Sequence, residues 1–291
     1  MNKKHEKAML DLHRLMQAAN LKTEEDFERF AREMTGKTIP SFEKEALSNE
    51  ELAQDLVYQA SETDDLVEAD RLIFQAFAHD ADCVEAFVYL ATIPASPMIS
   101  LMLYKNGMNA ARKKLGEECF KQHTGFFWGM HETRPFMRCL QGYGDALHIL
   151  GHIDAALDVY FEMLTLNPND NQGVRDQAGL YCLQLNRLND FEKLTKQYAD
   201  DVTAFTHYNR VLFSFIKEGD SENSRSLFAQ AKKENKHVPL LLASRKELPP
   251  LSETYSLGQK SEAIYYATYA REVWQSKIGS ISWLEKMHRQ Q

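Results

Sequence analysis

The feature that most constrains the fold is a phrase that recurs through the second half of the chain: a helical segment, a turn residue, a few polar residues and a second helical segment. The turn residues are Gly151, Asn186, Gly219 and Gly258, at intervals of 35, 33 and 39 residues. No segment shows the sustained polar and apolar alternation that predicts β-strands. We therefore expect an all-α fold in which antiparallel helix pairs stack, because each pair needs a neighbour to cover its apolar face.

The repeated phrase resembles the tetratricopeptide repeat, whose period is about 34 residues. In the segment 137–170, Gly144 and Ala156 stand where that repeat has small residues, Tyr160 where it has an aromatic ring, and Pro168 where its second helix ends. A proline ends a helix because it has no amide N–H and clashes with the preceding turn. The resemblance implies a right-handed α-solenoid.

Longer phrases are similar to a bacterial family of tetratricopeptide-like proteins, some of which are labelled suppressor-of-tumorigenicity-type. These phrases are GFFWG at 125–129, ETRPFMR at 132–138, LNPNDNQGVR at 166–175 and ISWL at 281–284. The resemblance implies a helical repeat protein of unassigned activity, and it supplies no catalytic residue.

Three regions follow from these patterns. Residues 1–48 form an N-terminal helical extension, in which Gly36 and Pro40 separate helices that begin with the capping-box spacings Thr23 to Asp26 and Ser48 to Glu51. Residues 49–250 hold the repeats, at about 50–82, 137–170, 171–204 and 205–238, with an irregular insert at 94–136. Residues 251–291 form a capping pair of helices, Lys260 to Ser276 and Ser280 to Met287, whose aromatic residues would mark a homodimer surface if they were exposed together.

Composition narrows the classes of function. The net charge of -8 argues against a nucleic-acid binder, which needs a basic surface to neutralise phosphates. The sequence has no signal peptide and no run of roughly 18 uncharged apolar residues that a membrane span requires. Its four cysteines are dispersed and form no CxxC pair, which favours reduced thiols over disulfides or a zinc site. We expect a cytoplasmic protein with no metal and no cofactor.

The tetratricopeptide resemblance places the first helix of each pair along a concave groove. It puts the following side chains there: Arg138, Gln141, Asp145, Gln172, Arg175, Asp176, Thr206, Asn209 and Arg210. Each of three units contributes one arginine, and the planar guanidinium matches a carboxylate with two parallel hydrogen bonds. We therefore predict a scaffold that binds a protein or peptide partner, with an acidic segment or a C-terminal carboxylate as candidates. The alternative is that these arginines pair internally with nearby acids, as buried charges usually do.

Signals for catalysis are incomplete. His131 and Glu132 begin an HExxH pattern, but Pro135 occupies the position of the second histidine. The sequence has no GxSxG elbow, Walker loop or complete glycine-rich nucleotide fingerprint. The oxygen-rich run at 167–173 lacks the ligand spacing of a calcium loop, so we interpret Asn169 or Asp170 as a helix cap. We therefore predict that the protein is not an enzyme. The alternative is an enzyme or effector with an unrecognised site near His131 and Glu132. If no such site exists, residues 126–128 form an aromatic plug in this region.

Overall fold

A computed structural model describes residues 3–39, 47–93 and 96–290, and within these ranges the chain is helical and contains no strand. The prediction of an all-α fold is confirmed. Pro40 and the first two residues of the insert at 94–136 lie outside the described residues.

The chain divides into two compact units. The first runs up to Gly151 and also takes in Thr165–Pro168, and the second consists of His152–Leu164 and Asn169–Gln291. The division falls inside the segment 137–170, which the repeat pattern treats as one helix pair. Each unit is therefore described by itself.

The described residues of the first unit form seven helices. They are α1 (Lys3–Ala18), α2 (Glu24–Met34), α3 (Asn49–Ala60), α4 (Leu66–His79), α5 (Val84–Ala91), α6 (Pro97–His123) and α7 (Arg134–Ile149). Helix α8 (Ile153–Leu166) begins in the second unit. The second unit continues with α9 (Val174–Gln184), α10 (Leu188–Gln197), α11 (Ala204–Glu218), α12 (Glu222–Glu234), α13 (Val238–Ala243), α14 (Lys260–Ser276) and α15 (Ser280–Gln290).

Both capping boxes predicted in the N-terminal region are present. Thr23 Oγ1 accepts from the backbone N–H of Asp26 at 3.2 Å, and the Asp26 carboxylate accepts from the backbone N–H of Thr23 at 3.1 Å. The same exchange joins Ser48 and Glu51, at 3.3 and 2.9 Å. Each box satisfies N–H groups that have no partner within the helix, and this fixes where α2 and α3 begin.

Neighbouring helices of the first unit pack together, with α3 against α4 and α5, and α6 against α5 and α7. The core between α3 and α4 is built from small and branched residues, among them Ala53, Val57 and Ile73. Of the predicted aromatic plug, Phe127 alone is fully buried, with its ring 5.0 Å from that of Phe120, whereas Phe126 is 61% exposed.

The segment predicted as an irregular insert is largely occupied by α6. Gly116 interrupts this helix with a φ of 67°, a backbone conformation that favours glycine. Gly142 on α7 is needed for close packing rather than for its backbone conformation, since a Cβ there would lie 2.2 Å from Cζ of Tyr104. The absence of a side chain at Gly142 therefore lets the Tyr104 ring pack directly against α7.

In the second unit, α9 packs against α10 and α11, α11 against α12 and α14, and α13 against α14 and α15. The bounds of α14 coincide with the predicted helix, and Tyr266 and Trp274 on it are fully buried. Trp274 Nε1 donates to the Tyr266 hydroxyl at 2.9 Å, and that hydroxyl donates to Asn209 Oδ1 at 3.0 Å. Because these rings are core residues, the predicted homodimer surface is reduced to exposed neighbours such as Tyr255, which is 39% exposed.

Candidate functional site

Arg138, the first arginine predicted in the groove, is paired within the first unit. Its Nη1 donates to Glu6 Oε1 at 3.0 Å, and its Nη2 and Nε donate to Glu85 Oε2 at 2.7 and 3.1 Å. Glu85 is fully buried and Glu6 is 3% exposed. Burial alone would lower the pKa of this guanidinium, but Glu85 and Glu6 raise the pKa of Arg138 above its usual value. This is the internal pairing that the sequence leaves open as the alternative to ligand binding.

Arg175, the second predicted arginine, is also paired. Its Nε donates to Asp201 Oδ2 at 2.8 Å and its Nη1 to Asp170 Oδ2 at 3.0 Å. Asp170 in addition accepts the backbone N–H groups of Val174 at 2.9 Å and Arg175 at 3.0 Å, so it caps α9. Of the two predicted caps, Asn169 and Asp170, Asp170 is the residue whose carboxylate accepts these N–H groups, while Gly173 holds the N-cap position itself. Arg175 thus stabilises a capped helix start.

The remaining predicted groove residues have mixed surroundings. Arg210 is partly exposed and donates from Nη2 to the backbone carbonyl of Ala199 at 3.2 Å. Asn209 is buried and accepts from Tyr266, while the backbone N–H of Thr206 is held by the Thr203 hydroxyl in the cap of α11. The remaining three predicted residues, Gln141, Asp145 and Gln172, also make contacts within the protein.

Asp176 has the most perturbed carboxyl group of this set. Burial raises its pKa to about 7, with smaller contributions in the same direction from Asp201 and Asp170, although Arg175 acts to lower it. The adjoining pocket between α9, α10 and α11 has about 30 Å³ of free space, room for about two water molecules. Three aspartates therefore surround Arg175, and the space beside them is too small for a peptide side chain.

A larger cleft lies in the first unit and has a volume of about 470 Å³. Its walls come from α1, α3, the turn before α5, α6 and residues 130–135, and we call it the unit-1 cleft. It holds the His131 and Glu132 pair of the alternative interpretation, together with Arg14, Gln54 and Cys119. Its volume is within the range of ligand pockets, about 300–1,000 Å³.

Arg14 is the central cation of the unit-1 cleft. Its Nε donates to Glu51 Oε1 at 3.0 Å, and its Nη1 donates to Asp11 Oδ1 at 3.0 Å and to Asp55 Oδ1 at 3.3 Å. The residue is 6% exposed, and its Nη2 is buried without a hydrogen-bond partner among the described residues. The Gln54 amide nitrogen, on the same cleft, has no partner within hydrogen-bonding distance, although it is close enough to the Tyr58 hydroxyl to act against the burial that raises the pKa of Tyr58. Buried donors of this kind are rare because each forfeits its hydrogen bonds to water, at about 1–3 kcal/mol.

His131 and Cys119 do not have the protonation states of an activated pair. The His131 ring lies 6.2 Å from that of His13, and its Nδ1 is 3.3 Å from Arg134 Nη1. Burial, and then Arg134, lower the pKa of His131, whereas burial and then Glu132 raise the pKa of the Cys119 thiol. At pH 7 the imidazole is therefore neutral and the thiol protonated, opposite to the thiolate and imidazolium of a nucleophilic cysteine.

The incomplete metalloprotease pattern has a structural explanation. Pro135 lies in the first turn of α7, and His131 precedes that helix, so the two residues do not share a helical face. In the part of the chain that the structure describes, no three His, Cys, Asp or Glu side chains are grouped as a metal site would require. Nor does any described helix combine the length and apolar character of a membrane span.

Sequence reasoning identified His131 and Glu132 but missed Arg14 and Gln54. Neither residue belongs to a motif, and they come from two helices, α1 and α3, that are 31 residues apart at their nearest ends. The one signal in the sequence was Arg14 itself, a charged residue in the middle of α1. A buried arginine requires charged or polar partners from elsewhere in the fold.

Comparison with models of known protein families gave no match, and none was found among curated proteins or among solved structures.

Proposed function

We propose that the protein is a binding module for a peptide segment of a protein partner, built on tetratricopeptide-type helix pairs, and that the segment enters the unit-1 cleft. The helix pairs α3 with α4, α9 with α10 and α11 with α12 pack together at predicted repeat positions and support the repeat assignment, whereas α7 and most of α8, from the segment 137–170, belong to different units. We also propose a cytoplasmic location, since Cys83, Cys139 and Cys182 are buried as free thiols.

The observation that carries the proposal is the unpartnered Nη2 of Arg14, a residue that lines a cleft with room for a ligand. A peptide backbone supplies one carbonyl acceptor per residue, which is the group that this donor lacks. Arg138 and Arg175 each donate to two carboxylates, and among the described residues neither has a buried nitrogen without a partner, so they support a ligand-binding role less well. The proposal therefore keeps the predicted partner class and places it at a different site.

The test is selection of a random heptapeptide library on the immobilised full-length protein, compared with a variant whose cleft is filled. Cys119→Trp adds a large ring on the cleft side of α6, and Glu118→Trp adds the same ring at an exposed neighbouring position that does not line the cleft. We expect peptides that bind the wild type and Glu118→Trp equally and bind Cys119→Trp at least about tenfold more weakly, the loss of about 1.4 kcal/mol. Selected peptides that bind Cys119→Trp as well as the wild type would refute the cleft as the binding site.

A further inference from the structure

We infer that the occupant of the unit-1 cleft is a basic peptide segment, which places a neutral backbone carbonyl against Arg14 and a lysine or arginine against Glu132. This inference rests on the function proposed above, and it names the chemistry of the partner. It departs from the acidic partner that the arginine pattern in the sequence predicts.

The interior of the cleft selects a neutral acceptor. Arg14 already donates to three carboxylates, those of Asp11, Glu51 and Asp55, so its positive charge is more than balanced. A carboxylate or phosphate brought to Nη2 would approach these three anions with no net positive charge to offset the repulsion. An uncharged carbonyl oxygen accepts the same hydrogen bond without that repulsion, and the Gln54 amide nitrogen offers a second donor nearby on the same cleft.

The charges that line the cleft favour a cation. The lining contains two cationic side chains, Arg14 and Lys114, and four carboxylates, Glu50, Glu51, Asp80 and Glu132. His131 adds no positive charge at pH 7, because burial and Arg134 hold its pKa below the usual value.

Glu132 is the carboxylate best placed to meet an incoming cation. The other three carboxylates already face cations. Lys114 forms an ion pair with Asp80, and its Nζ lies 3.3 Å from Glu50 Oε1, while Glu51 forms an ion pair with Arg14. Glu132 lines the cleft, is exposed, and forms no ion pair among the described residues. The net charge of the whole chain, -8, has the same negative sign as the excess of carboxylates in the cleft lining, and it attracts basic segments toward the protein.

The first measurement is the composition of heptapeptides recovered from the library on the wild-type protein and counter-selected on Cys119→Trp. We expect lysine and arginine to exceed aspartate and glutamate at least about threefold relative to the starting library, because one exposed ion pair gives a small preference of this order. Peptides that depend on the cleft but carry no basic excess would overturn this inference and leave the proposed function standing. Recovery of no peptide that distinguishes the wild type from Cys119→Trp would overturn both.

The second measurement is the dissociation constant of the strongest basic heptapeptide, by fluorescence polarisation, for two variants. Glu132→Lys should weaken binding about fivefold at low salt and less at high salt, whereas Glu118→Lys, an exposed control on α6, should have a smaller effect. Gln54→Leu should weaken binding about three- to tenfold, the range for one lost hydrogen bond. Unchanged binding by Glu132→Lys would refute the cation contact, and unchanged binding by Gln54→Leu would refute the hydrogen bond from Gln54 to the peptide backbone.

Discussion

Replacement of Arg138 by methionine is the sharpest test of the internal ion pairs. Methionine preserves much of the side-chain volume but removes the cation that faces Glu6 and the fully buried Glu85. Breaking a buried pair from one side costs about 3–5 kcal/mol, because a buried charge is left without compensation. Since the Arg138 side chain is 18% exposed, water can reach part of the site, and we expect the lower end, about 3 kcal/mol.

The loss can be measured by urea unfolding of the full chain, followed by circular dichroism and by tryptophan fluorescence. Trp128 lies in the first unit, and Trp274 and Trp283 lie in the second, so single-tryptophan variants report on the two units separately. With a denaturant slope of about 2 kcal/mol/M, a loss of about 3 kcal/mol lowers the midpoint by about 1.5 M. The Trp128 signal should show this shift.

Two variants separate the ion-pair explanation from a general packing defect. Arg71→Met removes an arginine from an exposed pair with Glu68 and should leave the midpoint unchanged. Glu85→Gln combined with Arg138→Met removes one uncompensated charge and should recover part of the loss. The reasoning fails if Arg138→Met lowers stability by less than about 1 kcal/mol, or if the double variant is less stable than the single one.

Two further substitutions test the second unit. The folded-state pKa of Asp176, about 7, lies above the ordinary value near 4, so this group stabilises the fold below pH 4 and that contribution is lost as the pH rises to 7. The free energy of unfolding of Asp176→Asn, measured in urea, should therefore equal that of the wild type at pH 4 and exceed it at pH 8 by on the order of 2 kcal/mol. A difference between the two proteins that does not vary with pH would contradict this pKa argument. Glu262 accepts from Ala204 N at 2.8 Å, Gly258 N at 2.7 Å and Asn235 Nδ2 at 2.9 Å. Glu262→Ala should cost about 3 kcal/mol or more and accelerate amide exchange at Ala204 and Gly258, and unchanged exchange there would show that these bonds contribute little.

The parts of the fold that sequence reasoning predicted are those determined over a few residues. Capping boxes at Thr23 and Ser48 depend on side chains three positions apart, and the α14 bounds follow from local helix signals. Helix α6 was not predicted, since the segment 94–136 was expected to be irregular. Gly107 is in fact a contact position, since a Cβ there would lie 2.6 Å from Cys139 Sγ, and Gly116 is the real interruption.

The charge partners of the candidate site could not be predicted in the same way. Arg138 pairs with residues 53 and 132 positions away in the sequence, and Arg175 with one 26 positions away. A repeat pattern fixes which helix face a residue occupies, but it carries no information about which distant side chain meets that face. The residue type alone therefore could not decide between a ligand-binding arginine and a structural one.

Helix α1, which lies outside the repeat pattern, accounts for much of this difference in the first unit. It supplies Glu6, which helps to saturate Arg138, and Arg14, whose Nη2 is left without a partner among the described residues of the unit-1 cleft. The same helix thus removes one arginine from the predicted groove and contributes a donor to another site. Because a buried unpartnered donor costs more than a satisfied one, it is a stronger indication of a missing ligand than a cation whose buried nitrogens all have partners. A search for binding sites in helical-repeat chains should therefore weigh unsatisfied donors contributed by flanking helices above charges at the expected groove positions.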